Sequence, residues 1–179
     1  GNGEVVVQLG SFNLMQWITD NRAQLTPPMV NKPIWRDREF VVMILAGPIT
    51  RADYHDDPFE EFFFQLKGNM VLKTIQDGKH EDIPVNEGGV FLMPAHLPHS
   101  PQRPEPGSIG LVVERARPAG VLDAWEWYCP DCATRVHRCE LHINDLASER
   151  ARHFGAYYDD IADGVCPDCG APNPKELMS

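Results

Sequence analysis

One short stretch of this sequence combines residue types that can hold a metal ion. ADYHDDPFEEFFFQLKG, residues 52–68, places His55 six positions before Glu61, with Glu60 beside it, and then continues into a row of aromatic residues. Imidazole and carboxylate groups are ligands of zinc and of non-haem iron. Because side chains alternate between the faces of a strand, only one of the two glutamates can point inward. Alternation alone does not decide which one.

A second stretch supplies two more histidines. PAHLPHSPQR, residues 94–103, offers His96 and His99 directly after an apolar strand. A single histidine is usually an ordinary core or surface residue. These two are therefore candidate ligands whose assignment needs a further argument.

Four of the five cysteines form two identical CPDC knuckles near the end of the chain, with 33 residues between the pairs. Paired thiolates at such spacing indicate a tetrahedral site of the rubredoxin or zinc-ribbon kind, made by Cys129, Cys132, Cys166 and Cys169. Disulfides are the alternative, which a cytoplasmic setting disfavours. Cys139 is left as an ordinary thiol. Iron and zinc are not distinguished by this pattern.

The elements that must position these residues are mostly short strands. They are rich in β-branched and aromatic residues and are bounded by Gly, Pro or Asp. Predicted strands cover 39–47, 61–68, 69–78, 88–94 and 108–118. Gly68-Asn69 and Asp77-Gly78 are predicted hairpin turns. Closely spaced strands of this kind predict a mainly all-β sandwich or barrel, closed on itself.

The N-terminal part differs from the rest. Apolar residues at near-helical spacing predict one short helix within 11–25, capped by Ser11 or Asn13. The segment 26–35 is interrupted by three prolines, so it is expected to lack regular structure.

Composition and charge exclude several classes of function. The formal net charge of −10 argues against a nucleic-acid surface, which needs clustered Lys and Arg. The longest apolar run, FVVMILAG, is too short to cross a bilayer, so no membrane is expected as a partner. The beginning of the sequence shows no basic region followed by an apolar segment, so we expect a cytoplasmic setting.

The spacing of glycines, histidines and carboxylate resembles the two motifs of the cupin superfamily. In the first motif six residues separate the carboxylate from the closing glycine, Gly68, and this selects Glu61 over Glu60. The second motif begins at Gly88, with 19 residues between it and Gly68, and supplies His99. The sequence departs from the motifs in three places, with Asp53 for the first histidine, His96 for a glycine and Arg103 for an asparagine.

The cupin resemblance implies a double-stranded β-helix, or jelly-roll barrel, with His55, Glu61 and His99 as metal ligands. Two histidines and one carboxylate form a facial triad with open positions, the arrangement of non-haem Fe(II) oxygenases. His96 is interpreted as structural.

Longer runs resemble the bacterial 3-hydroxyanthranilate 3,4-dioxygenase family, namely TRADYHDDPFEEFF, PHSPQRPE, LVVERARPAG and WEWYCPDC. The resemblance extends from the proline-rich segment to the last CxxC. It implies a barrel with its N-terminal helix at 1–118 and a rubredoxin-like tail at 119–179 packed on the barrel. The tail would hold a second iron or a zinc ion. A homodimer is implied as well.

The implied reaction is extradiol-type cleavage of 3-hydroxyanthranilate by O₂ to 2-amino-3-carboxymuconate semialdehyde, the precursor of quinolinate in tryptophan breakdown and NAD biosynthesis. Fe(II) would be the cofactor. One alternative is a cupin dioxygenase acting on another carboxylated aromatic. A second is a non-catalytic, metal-dependent cupin regulator.

The same resemblance implies substrate-binding and catalytic roles for Arg51, Arg103 and Glu114, and a weaker substrate contact for Asn31. A guanidinium can clamp a carboxylate through paired hydrogen bonds. Glu114 lies in an apolar strand, so burial requires a partner for it: a substrate group or one of these two arginines. The alternative for both arginines is that they neutralise neighbouring acids.

Overall fold

The computed structural model describes residues 10–26, 31–35, 38–142 and 146–175, which form two antiparallel β-sheets and two α-helices. One sheet has five strands, in the spatial order β1 (Asn31–Pro33), β2 (Phe40–Ala46), β9 (Ile109–Arg115), β4 (Glu61–Lys67) and β7 (Val90–Met93). The other has six, in the order β11 (Arg135–Leu141), β10 (Asp123–Tyr128), β3 (Tyr54–Asp56), β8 (His99–Gln102), β5 (Met70–Gln76) and β6 (Lys79–Val85). The helices are α1 (Leu14–Asp20) and α2 (Leu146–Asp160). The predicted mainly all-β, jelly-roll fold is confirmed.

The main core lies between the two sheets. Its buried members come from both of them: Phe63, Met70, Leu72, Val85, Met93 and Val112. Strand β2 shows the alternation that builds such a core. Met43 and Leu45 pack against this inner cluster, whereas Ile44 and Ala46 belong to a second cluster on the other face. The interior of the barrel is therefore the space into which alternate residues of each strand project.

The N-terminal helix covers the outer face of the five-stranded sheet. Asn13 caps it, since its Oδ1 accepts a hydrogen bond from the backbone N–H of Gln16 at 2.9 Å. After Asp20 the chain continues as a 3-10 helix, Arg22–Leu25, so the predicted helix is confirmed in a shorter form. The prediction that 26–35 lacks regular structure is wrong at Asn31–Pro33, which pair with β2. Pro33 is tolerated because β1 is an edge strand.

The two predicted hairpin turns have different outcomes. Asp77 and Gly78 both have positive φ, 50° and 72°, and join β5 to β6 as neighbours in one sheet, which confirms the hairpin. The turn at Gly68-Asn69 joins β4 to β5, which belong to opposite sheets. This hairpin prediction is therefore wrong, because a glycine-containing turn fixes the local bend and not the partner of the next strand.

The chain after Pro118 continues the barrel. Strand β10 pairs with β3, which places Trp125 opposite His55, and β11 extends the same sheet. Helix α2 packs on these strands through stacked aromatic rings, with Trp127 and Tyr157 centroids 4.3 Å apart. The boundary at 118 stays a prediction. Within the described ranges, no helix is long and apolar enough to cross a membrane.

Candidate active site

The two histidines of the proposed triad lie side by side on the inner face of the six-stranded sheet. Strands β3 and β8 pair so that His55 is directly opposite His99, with ring centroids 5.2 Å apart. The same row continues to Trp125, whose ring stacks on His55 at 5.1 Å and 15°. Strand pairing thus brings together residues that are 44 positions apart in the sequence.

The carboxylate comes from the opposite sheet. Glu61 begins β4 and is 2% exposed, whereas its neighbour Glu60 is exposed to solvent. Its Oε1 lies 3.2 Å from His55 Nδ1, and its Oε2 lies 3.3 Å from His99 Nε2. The two sheets therefore meet at these three side chains.

The three side chains fit a metal ion. One ligand atom from each lies within 4.8 Å of the others. Glu61 Oε1 is buried and has no hydrogen-bond partner in the structure, a cost that a bound cation removes. Two imidazoles and one carboxylate are also the donor set of non-haem Fe(II) sites with open positions.

The remaining nitrogen of each imidazole is held by the protein. His99 Nδ1 is 2.9 Å from the carbonyl oxygen of Leu97, and His55 Nε2 is 2.6 Å from Asp123 Oδ2. Such contacts fix the orientation of a ligand histidine and direct its other nitrogen at the metal. The nitrogens that face Glu61 are consequently the ones available for coordination.

A cluster of further charged residues surrounds the triad. Its central residue, Arg117, was not among the site residues predicted from the sequence. Arg117, which follows β9, contacts three carboxylates: Asp57, Glu114 and Asp123. Glu114 therefore does have an arginine partner, but the expectation of Arg51 or Arg103 for that partner is corrected to Arg117. The only sequence signal was a charged residue just beyond an apolar strand, which does not identify its partners.

Burial and charge shift the pKa values in this cluster. Burial, reinforced by Glu61, raises the pKa of Asp57 to about 9 and that of Glu114 to about 7. Although burial opposes ionisation of Glu61, His99 and His55 hold its pKa well below the usual range. Although burial also opposes protonation of His55, Asp123 and then Glu61 raise its pKa to about 10. In the metal-free protein His55 therefore carries a proton that a metal must displace.

Arg103 lies inside the barrel and is 2% exposed. Its Nη1 donates a hydrogen bond to Gln65 Oε1 at 3.0 Å, and its Nε is buried without a hydrogen-bond partner in the structure. Burial lowers the pKa of this guanidinium to about 10. An anionic group beside Arg103 would accept a hydrogen bond from the unused donor and would compensate the buried positive charge.

Two other predicted substrate contacts, Arg51 and Asn31, are not seen at the triad. Arg51 forms an ion pair with Asp53, the residue that stands for the first cupin histidine, so it does neutralise a neighbouring acid. It also lines a cleft of about 830 Å³, together with Tyr54 and Ser100. Both residues alternate with the triad histidines, so this cleft lies on the opposite face of the six-stranded sheet. The side chain of Asn31 lies outside the described part of the chain.

His96 does not join the triad. Its side chain is 68% exposed, and its Nδ1 lies 2.8 Å from Asp56 Oδ1. Its backbone has φ 61°, a conformation in which the motif's usual glycine is favoured. The histidine thus occupies a turn position at the rim of the barrel.

The four predicted cysteines come together in the tail. Cys129 Sγ is 3.5 Å from Cys169 Sγ, and Cys132 Sγ is 3.6 Å from Cys166 Sγ. These separations exceed the S–S bond of a disulfide, about 2 Å. They approach the spacing of about 3.8 Å that metal–sulfur bonds of ~2.3 Å give in a tetrahedron. Hydrogen bonding by Thr134 lowers the pKa of Cys132 to about 6, which favours the thiolate form that binds metal.

The two knuckles are folded alike. Ala133 and Gly170 each stand four residues after the first cysteine of a pair, and both have positive φ, 63° and 77°. Each donates its backbone N–H to the carbonyl of that cysteine, at 3.0 Å and 2.9 Å. Cys139 lies apart from them, buried against Trp125 and Trp127.

Comparison with known proteins identifies the family. The family model for 3-hydroxyanthranilic acid dioxygenase matches residues 6–158. The chain belongs to this family. A 3-hydroxyanthranilate 3,4-dioxygenase from Ruegeria pomeroyi is 46% identical over 169 residues, 94% of each chain, and one from Burkholderia cenocepacia is 47% identical over 163 residues, 91% of this chain and 92% of that one. The predictions of the family and of a ring-cleaving dioxygenase are confirmed.

Among solved structures, a cupin-2 domain protein from Shewanella frigidimarina covers 55% of this chain and 91% of that one, with a TM-score of 0.46 and 13% identity. That similarity is too low to inform the site. The family assignment rests on the sequence relatives, and the geometry of the site rests on the strand pairing described above.

Proposed function

We propose that this protein binds a ferrous ion between His55, Glu61 and His99 and cleaves the ring of 3-hydroxyanthranilate with O₂. The observation that carries the proposal is the buried carboxylate of Glu61, whose two oxygens each face one imidazole nitrogen, His55 Nδ1 at 3.2 Å and His99 Nε2 at 3.3 Å. When bound, the ferrous ion supplies the redox chemistry that lets O₂ react with an aromatic ring. The substrate follows from the names of the relatives.

The substrate carboxylate is proposed to bind Arg103. Its guanidinium has an unused buried donor, and bidentate contact with a carboxylate is the interaction that this group makes best. Gln65, which contacts Arg103, is four residues from Glu61 on the same face of β4, or about 13 Å along the strand. Under this proposal, a single carboxylated aromatic ring would span from a metal held at Glu61 to the guanidinium of Arg103.

Glu114 is proposed to hold or accept a proton from the hydroxyl or amino group of the substrate. It pairs with Glu61 across β9 and β4, so its side chain faces the same space as the metal ligands. Its pKa, which burial raises to about 7, lets it change protonation state near neutral pH. An ordinary exposed glutamate would be ionised throughout that range.

The remaining assignments concern Arg51, the four cysteines and Asn31, together with the oligomeric state and the cellular setting. A substrate contact from Arg51, whose guanidinium pairs with Asp53, stays a prediction. The four cysteines would hold iron or zinc as a structural site in the tail. A substrate contact from Asn31, a homodimer and a cytoplasmic setting stay predictions.

The decisive experiment adds 3-hydroxyanthranilate and O₂ to anaerobically prepared, Fe(II)-loaded protein. We expect a transient absorbance from 2-amino-3-carboxymuconate semialdehyde that disappears as the product closes to quinolinate. Turnover of a different carboxylated aromatic, and not of this one, would favour the first alternative. Iron binding without turnover of any such compound would favour the non-catalytic regulator.

A further inference from the structure

We propose that Arg117 is a positioning residue that fixes the two halves of the active site relative to each other. It holds the proposed metal ligand His55 through Asp123, and it holds the proposed substrate contact Glu114 directly. The inference rests on the proposed function, because it gives these residues a role only if a metal and a substrate bind between them.

The first half of the evidence is the contact with Asp123. Arg117 Nε donates to Asp123 Oδ1 at 2.8 Å, and Nη2 donates to Oδ2 at 2.6 Å, so the two groups form a bidentate pair. The same Oδ2 lies 2.6 Å from His55 Nε2. The side chains of Arg117 and Asp123 are 1% and 0% exposed, so water does not screen this chain of contacts.

The second half is the contact with the opposite sheet. Arg117 Nη1 donates to Glu114 Oε2 at 3.1 Å and to the carbonyl oxygen of Arg115 at 2.7 Å. Nη2 also lies 2.9 Å from Oδ2 of the buried Asp57. A guanidinium offers five donors in a rigid plane, and three separate groups, the carboxylates of Asp123 and Glu114 and the carbonyl of Arg115, accept hydrogen bonds from them here.

Topology explains why one residue can act on both halves. Glu114 and Glu61 are neighbours in the five-stranded sheet, whereas Asp123 and His55 are on neighbouring strands of the six-stranded sheet. Arg117 lies on the connection between β9 and β10, where the chain passes from one sheet to the other. It therefore sets the separation of the two sheets at the point where the triad must close around a metal.

A purely structural role is the competing explanation. Loss of a buried ion pair destabilises a protein whatever its function, because the partner charges are left uncompensated. A second arginine that bridges carboxylates provides the control, although its side chain is 30% exposed against 1% for Arg117. Arg138 bridges Asp56, Glu126 and Glu140 at 2.9, 3.3 and 2.9 Å without contacting the triad.

The experiment compares Arg117→Lys, Asp123→Asn, their combination and the control Arg138→Lys in the full chain. Lysine keeps the charge but loses the fork that reaches several carboxylates at once. Ferrous affinity is measured anaerobically against a competing chelator, and the site is observed through the EPR signal of its nitric oxide adduct. The metal of the four cysteines is quantified in each sample as an internal reference, and thermal unfolding is recorded.

We expect Arg117→Lys and Asp123→Asn each to weaken ferrous binding about 10- to 100-fold, the usual effect of removing a partner of a metal-ligating histidine. Their combination should add little to the larger single effect, because both act through one chain of contacts. Arg138→Lys should keep wild-type ferrous affinity. At saturating iron, Arg117→Lys should still show a raised KM for the substrate through Glu114, whereas Asp123→Asn should not.

Three results would overturn the inference. They are unchanged ferrous affinity in both single variants, equal loss in Arg138→Lys, and full additivity in the combination. If Arg117→Lys does not fold, Arg117→Gln, which keeps an N–H donor but no charge, replaces it in the comparison. A different result would overturn the proposed function, and this inference with it. That result is a wild-type protein that binds no ferrous ion, or one whose ferrous ion is still bound after His99→Ala.

Discussion

Gly110 gives the sharpest test of the proposed substrate site, because the guanidinium of Arg103 lies directly against it. A Cβ added at Gly110 would overlap Arg103 Nη1, and it would lie 2.8 Å from Gln65 Oε1 and 3.0 Å from Arg103 Cζ. Gly110→Ala should therefore displace the guanidinium without touching any of the three proposed metal ligands.

The magnitude follows from the contacts that must give way. The Arg103–Gln65 hydrogen bond is buried and involves a charged group, so its loss costs about 1.5–3 kcal/mol. Overpacking at a buried site costs about 1–3 kcal/mol, and the two effects overlap because one movement causes both. We expect the free energy of unfolding to fall by roughly 2–3 kcal/mol.

The catalytic effect should appear in KM. Arg103 is proposed to bind a part of the substrate that does not react, and loss of such binding raises KM more than it lowers kcat. If the binding free energy of the substrate falls by about 1.4–2.8 kcal/mol, KM rises about 10- to 100-fold. Iron content should stay at the wild-type level, since the triad lies two rows of side chains away along β4.

Gly155→Ala is the control. Within the part of the chain that the structure describes, a Cβ there meets only Asp159 Oδ2, at 3.8 Å, so helix α2 can accept the alanine. The exchange should stabilise the protein by about 0.5–1 kcal/mol and leave KM unchanged. Steady-state kinetics, iron analysis and chemical denaturation of both variants complete the assay. A destabilised Gly110→Ala protein with wild-type KM would show that Arg103 does not bind the substrate.

Four further predictions concern the metals and their ligands. His99→Ala should lose the active-site iron and keep the metal of the cysteines, as metal analysis would show; joint loss of both metals would contradict two separate sites. The pKa of His55, raised from 6.5 to about 10, predicts that ferrous affinity rises up to about tenfold per pH unit in this range, since binding displaces its proton. The same shift stabilises the metal-free protein fully below pH 6.5 and less as pH approaches 10, which denaturation at several pH values would test. Cys132→Ser should weaken the tail metal and lower the melting temperature, while kcat per active-site iron stays the same; a proportional loss of kcat would assign the tail a catalytic role.

Local pattern was sufficient for several features of this protein. The alternation of β4 requires one of two adjacent glutamates to face inward, and the structure buries Glu61 and exposes Glu60. The turn at Asp77-Gly78 could be predicted because only certain residues favour two successive positive φ angles. The cysteine knuckles could be predicted as well, because each is a short turn whose ligands are close in sequence.

Several short or polar strands could not be predicted from the sequence. β3 has three residues and β8 contains Pro101, so neither offers a periodic signal. β6 is an edge strand with polar residues, and its Pro84 is tolerated there. The histidines were found through their spacing, whereas the strands that hold them were not.

The sequence by itself determined which residues can bind metal, that adjacent strand residues lie on opposite faces, and the bends of the tight turns. Only the tertiary structure decided that Arg117 and Asp123 connect His55 to Glu114, and that Gly68 leads into the opposite sheet. The reason is physical. Alternation and turn conformation are set by the backbone within a few residues, whereas the pairing of distant strands depends on packing free energy summed over the whole chain.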